Sequence, residues 1–407
     1  MRKITVYGML IMVFGFNNTS IFINDIQIPA FLYLLSAFVF FSFINLIRLR
    51  LADFKKIIQN EKTNNLYSKF FILVWFAFGL ISFFWVENLS AWRSEINVLI
   101  LIVSCTFAFS TALKTRTDIL TAFKIMGIFS IIHNLIGWYE VITNIYLFSL
   151  RAGWNGRPVS IFYNTNNLAM YLALSVFILI VNVKHTKSVF LKTLFSLSII
   201  SSCALIYFTG SRGGLIGLAL GLITYVYVNF DAKTQIKIRK NLIPASIIFL
   251  PLGSIFIYRI FFTGTRIVST HIRLELIRTG FTLIPLTFGR GVGAGNIPHW
   301  LAPYNIFHNH GNQMHNFAME ILVAYGIIIF ALYARFYWKI FTNNLKKYQY
   351  STSKIDQSLS LSILSILISL IILAAVPSNL MLIPFFWSFQ SILIAYQGIE
   401  YEGESNE

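Results

Sequence analysis

The chain is 407 residues long, 57% hydrophobic and only 12% charged, with a mean hydropathy of +0.70. A soluble domain carries about twice that charged fraction, and apolar runs of membrane-spanning length recur from end to end, which excludes a secretory signal ahead of a globular domain. The formal charge of +17 points to anionic partners, but in a membrane protein much of it sets topology, so the placement of the cations decides what they mean.

Taken in chain order, apolar runs predict spans near residues 4–22, 28–47, 69–86, 96–113, 118–137, 166–183, 190–208, 213–230, 242–262, 317–341, 357–375 and 380–397. Asn17 and Asn18 interrupt the first. Backbone polar groups in hydrocarbon must be satisfied within the chain, so the spans are helices. The expected fold is all-α: a polytopic transmembrane bundle of about 12 spans, a single integral membrane domain over residues 1–407. Cys105 and Cys203 fall inside spans and read as small packed side chains, not as a disulfide framework or metal site.

Alternate loops hold the lysines: Arg48 to Lys69, Lys114 and Arg116, Lys184 to Lys192, Lys233 to Lys240, and Arg335 to Lys354. With Arg2 and Lys3 these account for about 22 of the 32 cations, and the positive-inside rule makes this set cytoplasmic. An even span count puts the acidic tail, Glu400 to Glu407, on the same side. The opposite face carries Arg93, Arg151, Arg157, Arg212, Arg259, Arg266, Arg273, Arg278 and Arg290 but no Lys, since Lys124 lies within a span. A guanidinium binds phosphate or carboxylate oxygens as a planar fork, whereas an ammonium is a point charge. An all-Arg face therefore suggests recognition of phosphate or carboxylate, although export topology alone also disfavours Lys.

Residues 263–316 form a long outer loop between predicted spans 9 and 10, and loops of this length are commonly functional. It holds His271, His299, His308, His310 and His315. The stretch His271 to Gly280 predicts a short amphipathic helix closed by Gly280, with Arg273 and Arg278 diverging around it. Gly289-Arg-Gly-Val-Gly-Ala-Gly295 lacks the Gly-Lys-Ser/Thr ending of a nucleotide loop and predicts a tight backbone against helix ends or a ligand. His308, His310 and His315 have loop-like spacing with only Glu320 nearby, so no metal site is assigned. His315 abuts a span and is followed by Asn316 and Glu320; it suits either a general base near neutral pH or a helix-capping residue.

Two other outer turns carry candidates. Thr209-Gly-Ser211-Arg212-Gly-Gly214 holds a cation at the mouth of the bundle beside a helix N-terminus, a good anion site. Arg157 precedes Asn164-Thr-Asn166-Asn167, whose amides suit a helix cap or sugar hydroxyls. Gly153, Trp154 and Trp138 supply flexible and aromatic elements of the kind sugars stack on.

In this order, Arg157, Asn164-Thr-Asn166-Asn167-Leu-Ala, Thr-Gly-Ser211-Arg212-Gly-Gly, Arg273, Gly291-Val-Gly293 and His315-Asn316 with Glu320 and Gly326 resemble the O-antigen ligase and O-antigen polymerase superfamily of bacterial membrane glycosyltransferases, over residues 150–335. The resemblance implies a metal-independent, inverting, cofactor-free transfer of glycan from an undecaprenyl diphosphate-linked oligosaccharide to an acceptor glycan. The transfer takes place at the non-cytoplasmic face of the bacterial inner membrane, with both termini cytoplasmic. It implies that Arg212 and Arg273, with Arg157, hold the diphosphate and that His315 activates the acceptor hydroxyl. Asn164, Asn167, Ser211, Asn316 and Glu320 would bind glycan or support the site. Expected partners are these two glycans, membrane lipid and a chain-length regulator, with no nucleic acid. His308-Asn309 competes with His315-Asn316 as the matching pair. Ligases often place Gly, Thr or Tyr three residues after Gly326; Ile329 stands there, a departure that leans toward a repeat-unit polymerase for O-antigen, capsule or exopolysaccharide. A ligase acting on lipid A-core or protein is the alternative. A lipid-linked oligosaccharide flippase is a further one, but the chain has no internal repeat and only Lys124 in mid-span.

Overall fold

The computed structural model describes residues 2–15, 20–23, 26–29, 63–148, 156–162, 164–231, 233–238, 240, 267–304, 313–377 and 379–401. The long elements are all helices: α1 (Arg2–Gly15), α2 (Thr63–Ile81), α3 (Leu89–Ala112), α4 (Arg116–Thr143), α5 (Thr165–His185), α6 (Val189–Thr209), α7 (Arg212–Asn229), α8 (Ile267–Leu286), α9 (Ile297–Leu301), α10 (Phe317–Tyr350), α11 (Lys354–Leu373) and α12 (Pro384–Gln397). Among the described residues, seven segments are long and apolar enough to cross a membrane: Leu66–Phe84 and helices α3, α4, α5, α6, α10 and α11. These seven segments coincide with seven of the twelve expected spans, and α7 and α12, of 18 and 14 residues, occupy two more of the predicted positions. The predicted span at 242–262, and nearly all of that at 28–47, lie outside the described residues.

The first predicted span is corrected. Helix α1 stops at Gly15, and Ser20–Ile23 (β1) pairs antiparallel with Ile26–Pro29 (β2), Ile23 opposite Ile26. The all-α expectation therefore misses one hairpin. The sequence explains it: Ile21, Ile23, Ile26 and Ile28 alternate around Asn24-Asp25, β-branched residues flanking a turn-forming pair.

Helices α5 and α11 form the centre of the bundle, 78% and 72% buried, whereas α6 is 28% buried and peripheral. Helix α7 carries Gly213, Gly217 and Gly221, one small residue per turn, and packs closely on α11 through the last two. A Cβ on Gly217 would meet Leu373, and one on Gly221 would meet Ser369 and Phe177. Ser369 Oγ donates to Gly217 O at 2.7 Å across this crossing. Small residues at such spacing let helix backbones approach in a bilayer, where packing and hydrogen bonds replace the hydrophobic drive.

The lysine-bearing end of the bundle ties its cations to the protein. Lys3 Nζ meets Asp118 Oδ1 at 2.7 Å, and Arg116 bridges Asp356 (2.8 Å) and the Glu400 carbonyl. Lys347 Nζ donates to Tyr396 O and Ile399 O, both at 2.7 Å, capping the C-terminal end of α12 where a cation complements the helix dipole. The first and last described residues therefore lie at this same end. Lys124 is exposed on α4.

Candidate functional site

The opposite end is organised by a turn, Ala374 to Met381, which follows α11. Ala374 O accepts from Phe317 N at 3.1 Å, anchoring the start of α10 just after His315 and Asn316. Ala375 O accepts from Arg273 Nη1 at 2.9 Å. A Cβ on Gly213 would meet Val376, so the turn also abuts the residue next to Arg212. One short segment thus gathers residues as far apart in sequence as Gly213, Arg273 and Phe317.

On one side of this turn lie the arginines. Arg212 opens α7; Ser211 is its N-cap, Oγ accepting from Gly214 N at 3.3 Å. Arg157 is exposed and lies over Gly210: its guanidinium carbon is 3.6 Å from where a Cβ on that residue would sit. The loop carrying Arg157 is held by Glu140, which is fully buried and accepts from Val159 N and Ser160 N at 2.8 Å each. Arg273 is half-buried on α8, and burial pushes its pKa below the ordinary arginine value, yet a guanidinium remains charged at neutral pH. Asn164 caps α5, accepting from Asn166 N at 2.8 Å. Asn167, one turn on, is half-buried and its Oδ1 is shielded from solvent with no partner. Arg157 thus lies over Gly210, two residues before Arg212, and Arg273 reaches the same turn that abuts Gly213.

His315 stands at the border. Its φ of +50° is left-handed, a region in which His is enriched among non-glycine residues but which still costs energy. Asn316 N-caps α10, accepting from Met319 N at 3.2 Å. Helix α10 is broken at Gly326 (φ 76°, ψ −176°), and the glycine loop docks into the break: Val292 N donates to Val323 O (2.8 Å), Gly293 N to Ala324 O (2.9 Å) and Ile327 N to Gly289 O (2.9 Å). The loop thereby takes up backbone groups that a helix break leaves open. Its far side is fastened by Asn296, fully buried, whose Oδ1 accepts from Glu87 N (3.1 Å) and Asn88 N (2.8 Å).

On the other side of the turn is a cavity lined by Glu95, Glu320, Tyr325, Gln313, Asn379 and Met381, among others. Tyr325 OH donates to Glu95 Oε1 at 2.7 Å. Glu320 is 7% exposed, and its Oε2 has no partner.

The Teichuronic acid biosynthesis protein TuaE of Bacillus subtilis (strain 168) is 25% identical over 347 residues, covering 80% of this chain and 70% of that protein. No protein-family profile matches the chain.

Several expectations are corrected. Gly280 does not close a short helix: α8 continues to Leu286, and Gly280 serves close packing, since a Cβ there would meet Met314, Met319 and Val323. Trp138 is not at the mouth of the site; its Nε1 donates to Ser201 Oγ at 2.7 Å, between α4 and α6. Arg278 diverges from Arg273 as expected and lies 3.9 Å from Glu275 on an exposed face, and Arg290 stacks over Trp85 at 5.2 Å. His299 pairs with Glu87 at 2.7 Å, and His271 is exposed. His308, His310, Arg151, Gly153, Trp154, Arg259 and Arg266 lie outside the described residues. Sequence reasoning missed Glu95, Glu140 and the Ala374–Met381 turn. A carboxylate inside an apolar run is a functional candidate by its cost alone, and that signal marks both glutamates.

Proposed function

We propose that the chain is a polysaccharide-biosynthesis enzyme of the membrane, a glycosyltransferase that elongates glycan on its arginine-bearing face, which is the non-cytoplasmic one. The observation that carries this reading is that one turn, Ala374–Val376, meets Arg273, Gly213 beside Arg212 and Phe317 beside the His315-Asn316 cap, while Arg157 lies over Gly210 just before the same helix. The likeness to a teichuronic acid biosynthesis protein supports the same class of polymer chemistry, and the lysine-rich opposite end supports the orientation.

In this reading the donor is glycan linked to undecaprenyl diphosphate, as the superfamily resemblance implies, and the acceptor is a glycan hydroxyl. The acceptor oxygen attacks the anomeric carbon from the face opposite the diphosphate. A new C–O bond forms, the bond to the diphosphate oxygen breaks, and configuration inverts. The hydroxyl proton passes to His315. Charge develops on the departing diphosphate, where the Arg212 and Arg273 guanidiniums and the N-terminus of α7 stabilise it; preorganised groups of this kind are worth about 10²–10³ in rate. No metal is needed, because the arginines supply the positive charge. The departure from the ligase pattern at Ile329 favours repeat-unit polymerisation over ligation to lipid A-core.

The test is transfer by purified protein in nanodiscs supplied with an undecaprenyl diphosphate-linked oligosaccharide. Arg212→Ala lowers the rate by about 10²-fold or more, and His315→Ala by about 10²–10⁴-fold. Full activity in both variants refutes the assignment.

A further inference from the structure

The cavity beyond the turn is chemically unlike the arginine cluster. Its described lining contains two carboxylates, Glu95 and Glu320, a tyrosine, Gln313 and Asn379, and no Lys, Arg or His. Its free interior is about 70 Å³, several times what a single water needs, so it admits one small polar group or ring entering from its open side. Glu95 is engaged by Tyr325. Glu320 is not satisfied in this way: it is 93% withdrawn from solvent, and its Oε2 lacks a partner. Asn379 presents an Oδ1 in the same condition. Buried acceptors without donors are costly, so a ligand rich in hydrogen-bond donors fits here, and an anion would find no cation to pair with in the described lining. Gln313 and Met314 on the rim run directly into His315.

We propose that this cavity is the acceptor-sugar subsite and that it takes an uncharged sugar residue, a neutral hexose or N-acetylhexosamine, whose hydroxyls donate to Glu320 Oε2 and Asn379 Oδ1. The described lining offers no cation to a uronate or to the donor diphosphate, and a buried unpaired anion is costly, so the diphosphate is directed to the arginine side. This rests on the glycosyltransferase reading for the identity of the bound group, while the binding itself stands on the cavity.

Wild-type protein in nanodiscs is titrated by saturation-transfer NMR with methyl β-glycosides of glucose, galactose, N-acetylglucosamine and N-acetylgalactosamine, and with methyl glucuronide and galacturonide. At least one neutral glycoside binds, and the uronides bind tenfold or more weakly. Glu320→Ala weakens that glycoside tenfold or more and Asn379→Ala threefold or more. Asn379 sits on the turn, so its variant keeps the test sound if Glu320→Ala does not fold. The proposal is overturned if no neutral glycoside binds, if uronides bind as tightly, or if a folded variant binds as wild type does. Selective sugar binding without any transfer from a lipid diphosphate overturns the transferase reading and leaves the subsite. Transfer whose acceptor KM is unmoved by Glu320→Ala does the reverse.

Discussion

Two halves of one end of this bundle differ in the sign of their charge and in how they are built. The arginine half rests on α7, α8 and the loop before α5. It is positioned by close helix packing, with Gly217 and Gly221 bringing α7 onto α11 so that Arg212 stands beside the Ala374–Met381 turn. The glutamate half rests on α3, α9 and α10 and is positioned by backbone hydrogen bonding, with the glycine loop seated in the break at Gly326 and Asn296 fastening it to the start of α3. The turn between them belongs to neither half and touches both. A transferase with an anionic leaving group and a neutral nucleophile has reason to keep such environments apart, because a carboxylate beside the guanidiniums would neutralise the charge the diphosphate needs.

Because the halves are built differently, each can be broken alone. The largest effect is expected from Gly221→Leu, which forces α7 away from Ser369 and Phe177. Overpacking of this kind costs about 1–3 kcal/mol, and a shift of about 1 Å at a reacting group is worth about 10²-fold in rate. Transfer should fall by that factor while glycoside binding persists; equal loss of both would show that the halves are one unit. Asn296→Ala removes the acceptor of two backbone N–H groups and should cost about 1–3 kcal/mol of stability, read as a lower melting temperature in nanodiscs. Its effect should fall on glycoside binding before diphosphate binding. The smallest effect sharpens the border. His315→Gly relieves the left-handed backbone that His315→Ala retains, so the Gly variant should be more stable than the Ala variant by about 1 kcal/mol though both are inactive. Equal melting temperatures would mean that the backbone there relaxes at no cost.

Much of the arginine half was legible in the sequence, because Lys-free outer loops and a helix N-terminus after Ser211-Arg212 carry local signals. The helices were legible too, from hydropathy and caps such as Asn164, Ser211 and Asn316. The glutamate half was not. Glu95 and Glu320 are separated by more than two hundred residues, and only the docking of the glycine loop into α10 brings α3 and α10 around one cavity. The spacing Gly213, Gly217, Gly221 was present in the sequence, but its partner on α11 was not, since nothing local says which helix a small-residue face meets. The hairpin at Ser20 was hidden by hydropathy, which does not distinguish a β-branched strand from the end of a helix.

The account stands most directly on where the diphosphate binds. Undecaprenyl diphosphate is titrated onto nanodisc-embedded wild-type, Arg212→Ala and Glu320→Gln proteins, and the dissociation constants are compared. Arg212→Ala should weaken binding by about tenfold or more, the size of a lost charge-assisted pair, while Glu320→Gln should leave it within about twofold. Equal affinity in wild type and Arg212→Ala, or a loss in Glu320→Gln as large as in the arginine variant, would contradict the division of the site into a donor half and an acceptor half.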